Sequence, residues 1–296
     1  MKFFFSERFC WGVIFLLFLL NFFLWQTLFR VLSSDFLEVR FLAVGQGDAI
    51  FIQTPQLYQI LIDGGPDKSI LERLSKLMPF WDRTIDLVIL THPQKDHVAG
   101  LIEVLKRYRV LNILWTGVSV DSSIFQEWQK RLALEKANEI IAQVGHKIIF
   151  DRLIFDVLNP GQGVAYKFFK NPNDTSLVLR AHFGESSFLF TGDIGKKIEE
   201  NLINQKIKIE SDVLKVAHHG SKSSSTQEFL GKVSPLLSVI SVGFNNYGHP
   251  HQEVLERLQK IGSQVLRTDR EGDIILKTDG KIIFLETAKK NEIPAF

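Results

Sequence analysis

The chain has 296 residues, of which 45% are apolar, so it can build one large domain or two small ones around a substantial core. A net charge of +2 is close to neutral for this length and gives no support for a chain-wide attraction to nucleic acid, although a local basic patch is compatible with it. The single cysteine, Cys10, excludes an internal disulfide and a site of several thiolates. Any metal must therefore be held by His, Asp and Glu.

The N-terminus predicts a membrane anchor. Residues 9–29 carry no charge and are bracketed by Arg8 and Arg30. As a helix they would measure roughly 32 Å, enough for a hydrocarbon layer of ~30 Å. Trp11 and Trp25 near the two ends suit the two interfaces. A cleaved signal peptide and a long core helix are the alternatives, and the first offers only a weak cleavage site. A small excess of basic groups before the span predicts the N-terminus inside and the globular part outside the cytoplasm.

The sequence divides into three regions: 1–32, the anchor with a short cytoplasmic start; 33–286, one folded domain; and 287–296, a frayed tail. In chain order the first half predicts strands at 36–44, 49–52 and 58–62, a helix at 69–76, a strand at 87–90, a helix at 98–108, a strand at 110–115 and a long helix at 122–144. The second half predicts strands at 147–150, 153–158, 176–182 and 187–191, a helix at 196–203, strands at 213–216 and 237–242, a helix at 252–260 and strands at 264–267, 273–278 and 281–285. Hairpins alternate with helices, which predicts an α/β (α+β) fold in which two packed sheets carry helices outside, a four-layer αββα sandwich.

The strongest chemical signal is the segment Thr91-His-Pro-Gln-Lys-Asp-His97, directly after the apolar run 87–90. Sheets of this class place ligands at the carboxyl ends of strands. A tight loop could aim His92, Asp96 and His97 at one point. A carboxylate beside imidazoles suits a divalent ion such as zinc or manganese. The alternative is three polar residues in a solvated loop.

Three further segments repeat this arrangement of a strand followed by ligand-type residues. Asp193 ends the strand-like run 188–191, where it is either a ligand or the cap of the next helix. His218 and His219 follow a strand, and because strand side chains alternate, only one of the two is expected to reach the metal. His249 lies between Gly and Pro in the loop after strand 237–242. Together the loops favour a shared metal site far more than any one of them alone.

Asp63, in Leu61-Ile-Asp-Gly-Gly65, ends another strand. We expect it to position a ligand rather than to bind metal, because Gly-Gly lets the metal loop approach closely. Lys95, Lys215, Ser221 and Lys222 flank the loops and could contact phosphates, with ordinary surface roles as the alternative.

These residues resemble a known family. The segments Val44-Gly-Gln-Gly-Asp-Ala49, Leu61-Ile-Asp-Gly-Gly65, Thr91–Gly100, Asn173–Val178, Thr191-Gly-Asp193, Lys215–Ser221 and Tyr247-Gly-His-Pro250 occur in the order seen in the metallo-β-lactamase domain of ComEC-type competence (DNA uptake) proteins. The resemblance covers roughly residues 36–285. It implies the αββα metallo-β-lactamase fold, hydrolysis by a metal-bound hydroxide and a nuclease role on DNA.

Residue by residue, the resemblance implies that His92 is a ligand of the first metal site and that Asp96 and His97 are ligands of the second. It implies that Asp193 bridges two ions, that His218 is the later second-site ligand, with His219 packing or in a supporting role, and that His249 is the final active-site histidine. Two features depart from the family. Gln94 stands where the family usually has Asp or His, and a neutral amide is a weak ligand. The 296 residues also predict one membrane span and neither the multi-helix channel nor the nucleic-acid-binding barrel of full ComEC proteins.

The sequence thus predicts a single-pass membrane protein with an extracytoplasmic hydrolase domain. One or two ions of zinc or manganese would activate water for attack on a phosphodiester of DNA. Asp96 and Asp193 would hold the ions or orient the water, and His249 would stabilise developing charge. A separate DNA-translocation channel is the expected partner, and the oligomeric state is open. The alternatives are hydrolysis of another ester or amide, and a membrane-tethered nucleic-acid-binding or assembly module whose metal site has degenerated at Gln94.

Overall fold

The computed structural model describes residues 7–32 and 35–287. Its longer helices are α1 (Glu7–Leu32), α2 (Ser69–Leu77), α3 (Lys95–Leu105), α4 (Ser123–Leu134), α5 (Lys196–Asn204), α6 (Gln227–Val233) and α7 (Gln252–Lys260), and a short α8 spans Thr268–Glu271. The first strands are β1 (Leu37–Phe41), β2 (Ile50–Gln53), β3 (Gln59–Ile62), β4 (Thr84–Leu90), β5 (Arg109–Trp115), β6 (Asn138–Ile141), β7 (Lys147–Phe150) and β8 (Leu153–Asn159). The remaining strands are β9 (Val178–Phe183), β10 (Ser186–Phe190), β11 (Val213–Lys215), β12 (Leu237–Ile240), β13 (Gln264–Arg267), β14 (Ile274–Thr278) and β15 (Ile283–Thr287).

The strands form two sheets. Eight strands pair in the order β15-β14-β1-β2-β3-β4-β5-β6, and seven pair in the order β13-β12-β11-β10-β9-β8-β7. An apolar core that includes Phe41, Phe155, Phe183 and Phe188 fills the space between the sheets. The outer face of the first sheet packs on α2, α3 and α4, and that of the second on α5, α6 and α7. The four-layer αββα sandwich predicted from the element order is confirmed.

Three details differ from the sequence prediction. The helix expected over 122–144 ends at Leu134, and the chain returns as β6, which pairs parallel with β5. Ile140 packs toward the central core and Ile141 toward the outer one, so this apolar pair is used as strand residues are. Helix α3 begins at Lys95, three residues earlier than predicted, and α6 was not predicted. Asp96 and His97 therefore lie in the first turn of a helix rather than in a loop.

The stretch Glu7–Thr27 of helix α1 is long enough and apolar enough to cross a membrane, judged by length and composition alone. None of this stretch is buried against the rest of the molecule. The short cytoplasmic start predicted at the N-terminus falls partly on residues 1–6. The frayed tail predicted at 287–296 falls almost entirely on 288–296. Both of these ranges lie outside the described residues.

Candidate metal centre

The candidate site lies at one end of the sandwich, where strands of both sheets finish. Thr91 and His92 follow the end of β4, Asp63 follows β3, and Asp193 follows β10. The two histidines at 218 and 219 follow β11. Because β3 and β4 are parallel in one sheet, and β10 and β11 in the other, these carboxyl ends meet at a common edge.

Asp96 and His97 are placed by the first turn of α3. The backbone of this turn is held against two other loops: Gly64 N donates to His97 O at 2.8 Å, and Asp48 N donates to Asp96 O at 3.2 Å. His97 is fully buried, and its Nδ1 lies 2.7 Å from the Asp63 carboxylate. A carboxylate next to Nδ1 accepts a hydrogen bond from Nδ1–H and so makes Nε2 the nitrogen that can bind a metal. His97 Nε2 has no hydrogen-bond partner among the described residues and lies 3.5 Å from Asp193 Oδ2.

Asp193 is the centre of the cluster. It is 1% exposed, and neither carboxylate oxygen has a hydrogen-bond partner within the described part of the chain. Burial alone would raise its pKa, but the imidazoles of His219 and His97 hold the pKa of this carboxyl well below its usual range. The side chain is therefore a carboxylate, with the nitrogen atoms of His97 and His219 and the carboxylate of Asp96 as its neighbours. The other role considered for it, a helix cap, is taken by Gly195, which precedes α5 without a side-chain cap.

His218 and His219 do not alternate as strand residues would. The strand ends at Lys215, and both histidines adopt left-handed backbone conformations, with φ of 51° and 54°. The strand alternation assumed for this pair is wrong, and Nε2 of His218 lies 3.9 Å and Nε2 of His219 lies 3.5 Å from Asp193 Oδ2. Of the two, His219 and not the expected His218 belongs to the group of converging ligand atoms, and the expectation that one of them reaches a metal stays a prediction. His219 is the buried member of the pair, at 1% exposed against 29% for His218.

The tautomer of His219 is set by its other nitrogen. Its Nδ1 lies 2.9 Å from the carbonyl oxygen of Ser241, which can only accept, so Nδ1 carries a proton and Nε2 is the nitrogen that faces the cluster, 3.3 Å from Asp96 Oδ2. Burial lowers the pKa of this ring, but Asp193 and Asp48 outweigh burial and raise it to about 10.

The donor set fits a divalent cation. One ligand atom from each of Asp96, His97, Asp193 and His219 lies within 4.8 Å of the other three. Buried polar atoms without partners are costly, and here Nε2 of His97, Nε2 of His219 and both carboxylate oxygens of Asp193 have no hydrogen-bond partner among the described residues. Two imidazoles and two carboxylates suit zinc or manganese.

A second buried pair supports the cluster from behind. Lys215 is 1% exposed, its ammonium contacts the Asp48 carboxylate and donates to Gly192 O at 3.0 Å, and it lies 3.6 Å from Asp193 Oδ1. Burial raises the pKa of Asp48, but the charges of Lys215 and His219 outweigh burial and lower this pKa to about 2. Burial lowers the pKa of Lys215, but the carboxylates of Asp48 and Asp193 outweigh burial and raise it. The suggestion that Lys215 contacts substrate phosphates is wrong, because the ammonium is buried and already paired.

Asp48 was missed as a functional residue. The sequence signal for a functional role was the position of Asp48, whose carboxylate follows the turn Gly45-Gln-Gly47 and precedes a buried strand. Nothing in the local sequence links it to Lys215, which is 167 positions further along the chain.

His92 and Gln94 form a pair of their own. The His92 ring is fully buried, with Nδ1 3.1 Å from Thr91 Oγ1 and Nε2 3.1 Å from the Gln94 side-chain amide. Thr91 Oγ1 donates its own proton to Asp63, so it can accept from His92 Nδ1. The Gln94 atom at Nε2 is the carbonyl oxygen Oε1, which accepts a hydrogen bond only when Nε2 carries a proton. Burial and the neighbouring His97 lower the pKa of His92 to about 4. His92 Nε2 also lies 4.0 Å from Asp193 Oδ2, at the edge of the cluster.

A cleft of about 860 Å³ opens over the cluster. Its lining includes Gln94, Lys95, Asp96, His218, His219 and His249. The His249 backbone is fixed by Asn245, whose side chain accepts from His249 N at 3.0 Å and donates to His249 O at 2.9 Å. Burial and the neighbouring His218 lower the pKa of His249 to about 4.

The other predicted phosphate contacts differ in position. Lys95 lines the cleft. Lys222 is exposed but is not part of the cleft lining. Ser221 is 7% exposed and pairs with the Ser223 hydroxyl at 2.9 Å, so its hydroxyl serves the turn after the histidines rather than the cleft.

Comparison with known proteins gives a consistent result. A family model described as the metallo-beta-lactamase superfamily matches residues 42–243. ComE operon protein 3 of Bacillus subtilis is 34% identical over 289 residues, which cover 90% of this chain and 35% of that protein. Recombination protein 2 of Haemophilus influenzae is 30% identical over 254 residues, which cover 83% of this chain and 29% of that protein. The chain thus spans about a third of the length of these relatives.

Among solved structures, the metallo-beta-lactamase fold protein YhfI from Bacillus subtilis matches with a TM-score of 0.57 at 15% sequence identity. The match covers 83% of this chain and 100% of the YhfI chain, and it shows that the two share the fold.

Proposed function

Because this chain belongs to the metallo-beta-lactamase superfamily, we propose that it is a metal-dependent hydrolase that cleaves phosphodiester bonds of DNA. One observation carries the proposal: buried His97, Asp193 and His219 converge with the partly exposed Asp96 at the floor of an open cleft. The DNA substrate is supported by the resemblance of the motifs to those of ComEC-type competence (DNA uptake) proteins and by the 34% identity to ComE operon protein 3.

The four converging side chains would hold one ion of manganese or zinc, with His218 beside them on the cleft side. Such a cation, when bound, supplies a Lewis acid that lowers the pKa of a coordinated water. The first site of the family would need His92 Nε2, which the Gln94 amide contacts in this chain. We therefore propose one tightly held ion and a weak or absent second one.

The protein side chains divide the remaining work. Asp63 orients His97 through Nδ1, and the Ser241 carbonyl orients His219 in the same way. Lys215 balances the charge of Asp48 and Asp193 from the buried side. On the open side, His249 can donate a hydrogen bond to developing negative charge, and Lys95 can contact a phosphate.

The location is also a proposal. Helix α1 would be a single-pass anchor, with the N-terminus inside and the domain outside the cytoplasm. A domain in this position could act on DNA delivered to, or left by, a separate translocation channel.

The full chain, purified with added manganese or zinc, tests the proposal through bound-metal analysis and cleavage of single-stranded DNA. Asp96→Ala should lose both tight metal binding and activity, because it removes a carboxylate from the cluster. Asp121→Ala, at an exposed surface position, is the matched control and should behave as the unchanged protein. Full activity of the Asp96 variant would remove this site from the mechanism.

A second candidate function rests on the contact between Gln94 and His92. The Gln94 side chain occupies the ligand nitrogen of the first metal site. The same contact would be expected in a nucleic-acid-binding or assembly module whose metal centre has degenerated. Gln94→Asp separates the two. In an enzyme it should give equal or higher activity and a second bound ion, whereas in a degenerate module it should change neither metal content nor cleavage. Hydrolysis of another ester or amide in place of DNA would support the proposed metal site and contradict only the proposed substrate.

A further inference from the structure

The end of the domain opposite the metal centre lies next to the anchor. Strand β1 runs parallel to β3 and β4, since both neighbours of β2 are antiparallel to it. The first residues of β1, β3, β4 and β5 are therefore at one end of the sheet, and the metal cluster is at the other. Only residues 33–36 separate α1 from β1. At a maximum of about 3.6 Å per residue, the start of β1 is within about 18 Å of the end of α1.

An exposed aromatic pair lies at this same end. Phe80 and Trp81, in the turn before β4, are 84% and 73% exposed, and their rings stack edge to face with centroids 4.8 Å apart. Strand β4 is three positions from β1 in the sheet, which is a lateral distance of about 14 Å. The two adjacent aromatics form an exposed apolar patch, and amphipathic Trp favours the membrane interface.

Basic side chains surround this pair. Arg83 lies two residues after Trp81, beyond Asp82, whose carboxylate already accepts hydrogen bonds from Gln59 Nε2 and Thr84 N. Arg107 and Arg109 lie in the adjoining turn before β5, where Arg109 N donates to Arg83 O at 2.8 Å. All three are exposed, and none forms an ion pair with a carboxylate among residues 7–32 and 35–287. Unpaired guanidinium groups beside exposed aromatics match a surface of anionic lipid headgroups.

We propose that this docking face, made of Phe80, Trp81, Arg83, Arg107 and Arg109, rests on the bilayer that α1 crosses. The inference rests on the proposed membrane anchoring but not on the hydrolase activity. The short linker keeps the face near the lipid, the aromatic pair enters the interface, and the arginines contact the phosphates of the headgroups. The metal cleft then opens away from the membrane, one domain length above it, so that it receives substrate from the aqueous side.

The test measures membrane depth in the full-length chain. The native cysteine is removed by Cys10→Ser, and a nitroxide is attached in separate variants at Phe80→Cys and, as the matched control, at Phe244→Cys, an aromatic that is 95% exposed beside the cleft. The proteins are reconstituted at low density in vesicles of phosphatidylcholine with phosphatidylglycerol as the minority lipid. Collision of each label with oxygen and with a water-soluble nickel chelate is then compared by electron paramagnetic resonance.

We expect a several-fold higher oxygen-to-chelate collision ratio at position 80 than at position 244. Replacing the three arginines by Gln should move the ratio at 80 toward that at 244. Equal ratios at the two positions overturn the proposal. Exclusion of both reagents at position 80, with spin coupling between copies, also overturns the proposal, since a second chain then covers the face.

Alkaline extraction of the same vesicles tests the anchor separately, and release of the protein would refute both the anchor and the docking. Loss or retention of DNA cleavage changes none of these readings.

Discussion

The position of α3 depends on a contact between two glycines, which gives a sharp prediction. Gly100 lies in the interior of α3 and packs against Gly64, next to Asp63. A Cβ added to Gly100 would lie 1.8 Å from Gly64 O and 2.9 Å from Asp67 O, both backbone atoms. In Gly100→Ala the helix must therefore move by about 1.6 Å to restore an ordinary contact of 3.4 Å. The same helix carries Asp96 and His97 in its first turn.

Two effects of this substitution oppose each other. Alanine is the better helix former by about 1 kcal/mol, so the variant would be more stable if the position were open. Overpacking against backbone costs about 1–3 kcal/mol or more and also strains the hydrogen bond from Gly100 N to Gly65 O, 3.0 Å long. We expect a net loss of about 2 kcal/mol, which lowers Tm by about 4–8 °C in a domain of this size. A displacement above about 1 Å at a catalytic group can cost ~100-fold in rate.

Thermal unfolding, metal titration and DNA cleavage measure these effects. The matched control is Gly231→Ala in α6, where an added Cβ meets nothing within 4 Å, so this variant should be unchanged or stabilised by up to about 1 kcal/mol. A Gly100→Ala protein as stable and as tight in metal binding as the control would refute the view that this glycine contact positions the site.

Three other predictions address the buried charges and the cleft. Lys215→Met should lose about 3–5 kcal/mol of unfolding free energy in denaturant titrations, because it leaves Asp48 and Asp193 without their ammonium. The control Lys222→Met, at an exposed position, should stay within about 0.5 kcal/mol of the unchanged protein. Equal losses in the two variants would show that Lys215 is not a buried counter-charge. Burial would lower the pKa of His219, but Asp193 and Asp48 raise it to about 10, so the metal-free ring holds a proton that a bound ion must displace. Calorimetry in buffers of different ionisation enthalpy should then show proton release, with an apparent affinity that keeps rising as the pH approaches about 10, and a flat profile would contradict this. His249→Gln should lower kcat at least about tenfold with metal content unchanged, whereas loss of metal would make His249 a ligand.

The sequence predicted the strands well because each buried strand is an apolar run that ends in a polar turn. The runs 87–90 and 264–267 match β4 and β13 closely at their carboxyl ends, and the motif residues follow where the strands finish. Helix boundaries were harder. The end of α4 was missed because Ile140 and Ile141 fit a helical stripe as well as a strand, and only the tertiary pairing with β5 decides between them.

The connections inside the site could not be predicted from the sequence. Asp48 and Lys215 form a buried pair only because the two sheets meet, and local sequence carries no trace of that contact. For His218 and His219 the reason is different. The strand was assumed to continue through both residues, but the chain leaves β11 in a left-handed turn, which removes the alternation on which the choice between them rested.

The physical state of Asp193 bears on the choice between a working centre and a degenerate one. A carboxylate that is 1% exposed and accepts no hydrogen bond from the described residues is costly to bury. Lys215 lies 3.6 Å away and already serves Asp48, so it offsets only part of that cost. The rings of His97 and His219 are each tied at Nδ1 to another group, so that only Nε2 faces Asp193. An arrangement in which every free donor atom faces one point is stabilised by a cation at that point. The Gln94 contact closes the neighbouring His92 but leaves these atoms untouched, and for that reason we favour a hydrolase with one principal metal over a module that has lost its chemistry.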